Sequence, residues 1–403
     1  MKNNPVYQHQ DLPLPRHPRV WAEISSDALV YNYKALAACV PSAQPIAVVK
    51  ADAYGHGISL VVPSLVEAGC RFFAVATLEE ALSLRWLLSS LLPDEKTTIL
   101  ILGYISPMDV WSAATQEITL TCVSKDHAEA LSCAAVDAGV TVSCHVALDT
   151  GMNRVGLAAQ NQRDCCKAAQ DVMDIMDMEG LRVTGMFTHF STADHDFEEV
   201  AAPDSLTRRQ LACYMAVYNA LCAKDKRPAF CHVCNSAAAT RCPDLIPEAA
   251  LDGIRLGISM YGYGVNTPRD LGLRPVMRLM TRVVHMHTCP VGGKVGYGGE
   301  YAPDTDRVIA TLPVGYADGF VRGFKGAAIT VHTKEGDKEV SLVGRVCMDQ
   351  SMADVTDIQA AVGDKVTLFG DTCASLEALC RRSETIPYEP LCLISGRVPR
   401  YGV

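Results

Sequence analysis

Eight short β-rich runs alternate with longer amphipathic stretches between Trp21 and about Gly264, and this alternation constrains the fold more than any other feature of the chain. The runs are Ile46 to Val49, Arg71 to Ala76, Thr98 to Leu102, Thr119 to Val123, Thr141 to Leu148, Arg182 to Phe187, Ala229 to Val233 and Gly253 to Leu256. Strands joined by helix-length connections pair in parallel, and eight such units predict a TIM-like (β/α)8 barrel over residues 21–265. After about Asn266 the character changes. Runs Val276 to Met286, Arg307 to Leu312, Ala328 to His332, Glu339 to Val346 and Lys365 to Phe369, separated by Gly, Pro and Asp turns, read as an all-β domain over residues 266–403. Asn266, Pro268, Gly272 and Pro275 suit a linker between the two. Residues 1–20 read as a polar extension, because they lack the apolar run of a signal peptide.

Charge narrows the function. A net charge of −9 lacks the basic footprint that nucleic acid or an anionic membrane surface requires, and no apolar run reaches the ~18 to 20 residues of a membrane span. A small-molecule substrate is the expectation. Seventeen cysteines do not read as a disulfide framework, since such frameworks belong to short secreted chains with too little core. Cys39 and Cys347 sit among apolar neighbours, as reduced, core-filling thiols of a cytoplasmic protein would. Cys231-His232-Val233-Cys234 has the spacing of a zinc half-site, but no second pair follows, and no metal is expected.

Polar residues gather at the ends of the barrel runs: Lys50, Arg154 shortly beyond its strand, His189, Asn235, Ser236 and Arg255. Barrel enzymes build their chemistry at that face. Lys50 ends a fully apolar strand, where an amine either snorkels to water or is held desolvated with a lowered pKa, ready for Schiff-base or proton-transfer chemistry. Gly55 and Gly57 then free the backbone to turn into a helix beginning near Ile58. Arg255 either pairs with a carboxylate such as Asp252 or serves a ligand. His189 is a satisfied core histidine or part of a relay. Ser236 is a helix N-cap, a phosphate ligand, or both. Gly257 reads as a turn glycine or as a backbone donor, and Tyr297 as a turn residue between glycines or as an acid–base group.

The string Val48-Val49-Lys50-Ala51-Asp52-Ala53-Tyr54-Gly55-His56-Gly57 resembles the pyridoxal 5'-phosphate attachment motif of alanine racemases. Val295-Gly296-Tyr297-Gly298, Pro313 to Gly319, Gly344 to Gln350 and Ser395 to Arg400 are similar to further segments of that family, so the resemblance runs from about Trp21 to Arg400. It implies that Lys50 carries the cofactor and is one of two bases, with Tyr297 the other. It implies a phosphate cup of Tyr54, Asn235, Ser236, Gly257, Ile258 and Tyr388. Arg255 would face the cofactor's ring nitrogen, and His189 would link it to Tyr297. Arg154 and Met348 would meet the substrate, supported by Asp349. Because the second-domain residues of the family enter the partner subunit's site, an obligate homodimer follows, making D-alanine for peptidoglycan.

One departure stands out. Many members carry a lysine, modified to a carbamate, two residues before the Asp149-Thr150-Gly151-Met152 segment, and this chain has Ala147 there. The departure bears on substrate affinity and specificity. A serine or broad-specificity racemase is the alternative within the architecture. A cofactor-carrier protein, which resembles the barrel half alone, is the alternative from another class.

Overall fold

The computed structural model describes residues 17–195, 197–241, 252–264, 271–370 and 374–403. Residues 1–16 of the expected extension and residues 265–270 of the expected linker lie outside them. The chain divides into two compact units, one of residues 27–53 and 61–274, the other of residues 1–26, 54–60 and 275–403.

The first unit is a parallel sheet of the eight expected strands, in the order Gly253–Leu256, Gln44–Val48, Phe72–Val75, Thr98–Ile101, Ile118–Cys122, Val142–Asp149, Leu181–Phe187 and Phe230–His232. The ends of the sheet meet. Asp252 N–H donates to Cys231 O at 2.9 Å, Arg255 N–H donates to Cys234 O at 3.0 Å, and Asn235 bridges Arg255 in parallel. The expected TIM-like barrel is therefore present. Phe72–Val75, Ile118–Cys122 and Gly253–Leu256 are buried along their whole length, as parallel strands covered on both faces must be. Helices begin on side-chain caps, with the oxygens of Thr77, Ser124, Asn161 and Ser205 accepting backbone N–H groups of the first turn.

Two glycines shape the barrel interior. A Cβ on Gly185 would lie 2.6 Å from the His145 ring, and one on Gly253 would lie 2.5 Å from Phe230. Their missing side chains leave room for an imidazole where barrels are otherwise filled by branched aliphatics.

The second unit holds a mostly antiparallel nine-stranded sheet in the order His285–Cys289, Arg307–Leu312, Ser351–Asp354, Gly336–Val343, Ala328–Thr333, Lys365–Phe369, Met277–Arg282, Val20–Ile24 and Arg400–Gly402. The sequence pattern assigns residues from 21 onward to the barrel, yet Val20–Ile24 pairs antiparallel with Met277–Arg282 and parallel with Arg400–Gly402. Val20, Trp21, Ala22 and Ile24 are all buried there, and a strand buried on both faces needs ladder partners on both edges.

The fifteen described cysteines are all free thiols, eight of them buried. Among the described residues no helix is long and apolar enough to cross a membrane.

Candidate active site

Lys50 is half-buried beyond the strand Gln44–Val48, and the backbone after it turns the wrong way for L-residues. Ala51, Asp52, Ala53 and Tyr54 have φ of 52°, 51°, 56° and 53°. Each non-glycine residue in that left-handed region costs ~1–2 kcal/mol. Such a run persists only where its surroundings over-determine it, and here they do. Ala53 N–H donates to Val49 O at 3.0 Å. The Glu80 carboxylate accepts from Ala51 N–H at 2.6 Å through one oxygen and from Ala76 N–H at 2.8 Å through the other. One side chain thus clamps the ends of two neighbouring barrel strands beside Lys50.

Arg255 lies on the last barrel strand and is 3% exposed. Its NH2 donates to Thr188 O at 2.7 Å, to Val233 O at 3.1 Å and to His189 Nδ1 at 3.4 Å. Its NH1 donates to His232 Nδ1 at 2.7 Å and His232 O at 3.1 Å. Among the described residues no carboxylate pairs with it. Asp252 instead pairs with Arg227 and accepts Cys231 N–H at 2.7 Å. Burial pulls the guanidinium down to about 10, so it stays charged at neutral pH.

The imidazoles around it are neutral. Burial, then Arg255, Arg154 and Lys50, press His189 down to about 3. The same causes of burial and Arg255 hold His145 at about 3 and His232 well below the ordinary range. The common dependence of His189 on Arg255, Arg154 and Lys50 means that the barrel brings these four expected residues into one neighbourhood.

At the adjoining strand ends Asn235 caps the helix Ser236–Arg241, its Oδ1 accepting Ala238 N–H at 2.9 Å. Ser236 Oγ accepts Gly257 N–H at 2.9 Å. Gly257 leads into the buried turn Ile258–Tyr261. Asn235, Ser236, Gly257 and Ile258 therefore converge, with Ser259 Oγ beside them buried and without a hydrogen-bond partner among the described residues. Arg154 is exposed and forms no ion pair among the described residues, and Ala147 is buried on Val142–Asp149, two residues beyond His145 and on the same face of that strand.

The remaining expected residues fall in the second unit. Tyr54 and Tyr388 face each other with ring centroids 6.1 Å apart. Tyr297 opens a single turn and is 70% exposed. The glycines beside it are favoured by their left-handed backbone, with φ of +70° at Gly296 and +77° at Gly298, next to the Met352 methyl and the Arg345 guanidinium. Arg345 in turn pairs with Glu300. The Tyr316 and Met348 segments are zipped together, with Tyr316 N–H donating to Cys347 O at 3.1 Å and Ala317 N–H to Met348 O at 3.0 Å. Buried Asp318 accepts from Arg19 and Arg397, and Arg397 also holds Asp349 at 2.6 Å.

Models of the alanine racemase N-terminal domain and C-terminal domain match residues 24–265 and 276–402. The chain belongs to the alanine racemase family. It is 38% identical to alanine racemase 1 of Clostridium acetobutylicum over 96% of both chains, and 36% identical to the alanine racemase of Desulfovibrio desulfuricans over 95% of this chain and 98% of that one. The solved alanine racemase of Clostridium difficile 630 superposes with a TM-score of 0.84 at 32% identity, covering 96% and 97% of the two chains. A histidine racemase from Leuconostoc mesenteroides superposes at 0.81 with 29% identity, covering 96% and 99%. This member of the alanine racemase family is accordingly an isomerase.

Its site also contains residues that the sequence reading passed over. In the sequence His232 stands within the spacing of a zinc half-site, and His145 is one polar residue in the run Thr141 to Leu148. The available signal was that both stand two residues from another inward-facing position of a barrel strand, where a histidine needs a buried partner.

Proposed function

We propose that this member of the alanine racemase family holds pyridoxal 5'-phosphate on Lys50 and moves the Cα proton between two bases, Lys50 and Tyr297. The reaction is the interconversion of L- and D-alanine. The observation that carries the residue assignment is Arg255, a buried cation with no carboxylate partner among the described residues, next to convergent donors around Ser236 and Gly257 and to Lys50.

A buried cation needs an acceptor or an anion, and the donors of a strand-end turn suit a phosphate. The barrel's donor set fits pyridoxal phosphate: Lys50 for the aldehyde carbon, Arg255 for the ring nitrogen, and Ser236, Gly257 and Ile258 for the phosphate, with Asn235 holding the helix start, while the phenols of Tyr54 and Tyr388 are assigned to the phosphate by the resemblance alone. When bound, that cofactor supplies an electron sink that acidifies the substrate's Cα–H.

This chain's residues do the rest. Arg255 keeps its own proton and leaves the ring nitrogen unprotonated, which weakens the sink and favours prompt proton return. Lys50 serves one face of Cα and Tyr297 of the partner subunit the other. Neutral His189 beside Arg255 orients the tyrosine. Arg154, exposed and without an ion pair among the described residues, offers its fork of donors to the substrate carboxylate, and Met348 lines the substrate with Asp349 behind it. The resemblance supports a homodimer working in the cytoplasm and supplying D-alanine to peptidoglycan.

Chiral product analysis of the purified holoenzyme, run separately on L-alanine and L-serine with carbon dioxide monitored, tests the reading. D-alanine with little D-serine is expected. Predominant D-serine would move the substrate to serine, and carbon dioxide release or no product with bound cofactor would overturn racemisation.

A further inference from the structure

The amino-terminal mouth of the barrel, opposite the face that carries Lys50, opens into a cavity of about 550 Å³. It lies where strands start: Phe72, Thr98, Ile118 and Phe230 are each the first residue of a barrel strand and line it. Hydroxyls of Thr119, Thr141 and Ser143 face it as well. At the rim stand Lys96, which forms no ion pair among the described residues, and Arg182, whose Nε and NH2 both donate to Ser143 Oγ at 3.2 and 2.7 Å and which likewise lacks a carboxylate. The one acidic lining residue, Glu117, is next to Arg85.

The floor of the cavity is His145, 2% exposed. An arginine N–H can only donate, so His232 Nδ1 must accept from Arg255. A neutral His232 then carries its proton on Nε2 and donates it to His145 Nδ1 at 3.0 Å. By the same logic neutral His145 carries its proton on Nε2, for which no protein partner is recorded among the described residues. The hydrogen-bond network thus assigns every proton from Arg255 outward and ends in an N–H donor that opens to the cavity and has no protein acceptor among the described residues, with two cations on the rim that form no ion pair among those residues.

We propose that this cavity binds a small organic carboxylate, which accepts the His145 Nε2–H and meets Lys96 and Arg182, and that its occupancy is felt at Arg255 through His232. Phe72 and Phe230 supply the apolar walls that a carbon skeleton needs. An acceptor on His145 Nε2 makes Nδ1 a stronger acceptor, and the polarisation passes along the chain to the guanidinium. The coupling, unlike the binding, rests on the reading that Arg255 faces the cofactor.

The probe is succinate, titrated into ¹⁵N-histidine-labelled holoenzyme and followed by calorimetry, imidazole ¹⁵N shifts and the cofactor's absorbance. Saturable binding that moves the His145 Nε2 resonance, persists with L-alanine present at saturation, and weakens about tenfold or more in the Lys96→Ala/Arg182→Ala double variant is expected. Those two residues are exposed, so the variant keeps its fold. No saturable binding up to roughly 50 mM, equal affinity in the double variant, or displacement by L-alanine would overturn the site. An absorbance that stays fixed while succinate saturates would overturn the coupling. A preparation that never shows a cofactor band would count against the reading of Arg255 and leave the binding result standing.

Discussion

Gly55 passes so close beneath Leu391 that a Cβ on it would stand 2.0 Å from the Leu391 carbonyl oxygen, and its φ is +78°. Both the space and the dihedral admit only glycine. Arg400 Nε fixes the spot by donating to Gly55 O at 3.1 Å, one residue from Tyr54, whose ring faces Tyr388. Gly55→Ala is expected to destabilise the protein by about 2 to 4 kcal/mol and to weaken cofactor retention, because both phenols of the proposed phosphate cup shift. Urea unfolding and dialysis of the holoenzyme measure the two effects. An unchanged midpoint would mean that the Leu391 segment yields freely.

The three buried imidazoles make stability depend on pH. His145 and His189 are held at about 3 and His232 well below its ordinary value, chiefly by burial, whereas an unfolded histidine titrates near 6.5. Below pH 6.5 the unfolded chain therefore binds protons that the folded chain refuses, and stability falls as pH drops toward about 3. His145 and His189 together lower stability by roughly 3 kcal/mol between pH 7.5 and 5.5, and His232 acts in the same direction. Urea midpoints at pH 7.5, 6.5 and 5.5 should descend steeply. A flat profile would show that none of the three rings is held neutral in the folded state, and a partial slope that one or two of them are charged.

Arg255→Lys separates charge from geometry. A lysine keeps the positive charge but cannot span the carbonyls of Thr188, Val233 and His232 together with two imidazoles. Buried acceptors would be left unmet, at ~1–3 kcal/mol each. The variant should lose at least about 2 kcal/mol of stability and show an altered cofactor absorbance. If only stability changes, Arg255 is structural and does not touch the cofactor.

Tyr297→Phe should leave the cofactor bound while abolishing removal of the Cα proton from L-alanine, with exchange from D-alanine falling less. Its side chain is 70% exposed, so the substitution costs little stability. Deuterium exchange into each enantiomer reads the two faces separately. Undiminished exchange of L-alanine would remove Tyr297 from the list of bases.

The barrel strands were legible because each is a short β-rich run buried on both faces and bounded by helix-length sequence, and all eight lie within a few residues of the expected positions. Val20–Ile24 was not, since its partners are about 250 and 380 residues away and a local pattern carries no information about pairing at that distance. Lys50, His189, Arg154 and Arg255 could be gathered from strand ends. The His145–His232 contact could not, because it depends on the room left by Gly185 on a neighbouring strand. Nor does Ala51-Asp52-Ala53-Tyr54 announce a left-handed turn, as only Asp52 in it tolerates φ above zero readily and it does so as a single residue, not as part of a run of four.

What holds that turn yields the last prediction. Thr77-Leu78-Glu79-Glu80 has the sequence of a capping box, in which the glutamate would reach back to the N-cap N–H. Half of the box forms, with Thr77 Oγ1 accepting Glu80 N–H at 3.3 Å. The Glu80 carboxylate goes elsewhere, to the backbone of Ala76 and across the strand gap to Ala51, the residue after Lys50. An amide offers only one of the two oxygens, and its NH2 would oppose a backbone N–H, so Glu80→Gln should release one clamp at a cost of about 1–3 kcal/mol. The strained turn would then relax and carry Lys50 with it. Faster loss of the cofactor from the holoenzyme and a lower kcat with KM little changed are expected, because Glu80 positions the lysine without touching substrate. Ala51→Gly in the same background relieves the left-handed strain by ~1 kcal/mol and should restore stability without restoring kcat. Recovery of both would assign the defect to strain alone and take Glu80 out of the positioning of Lys50.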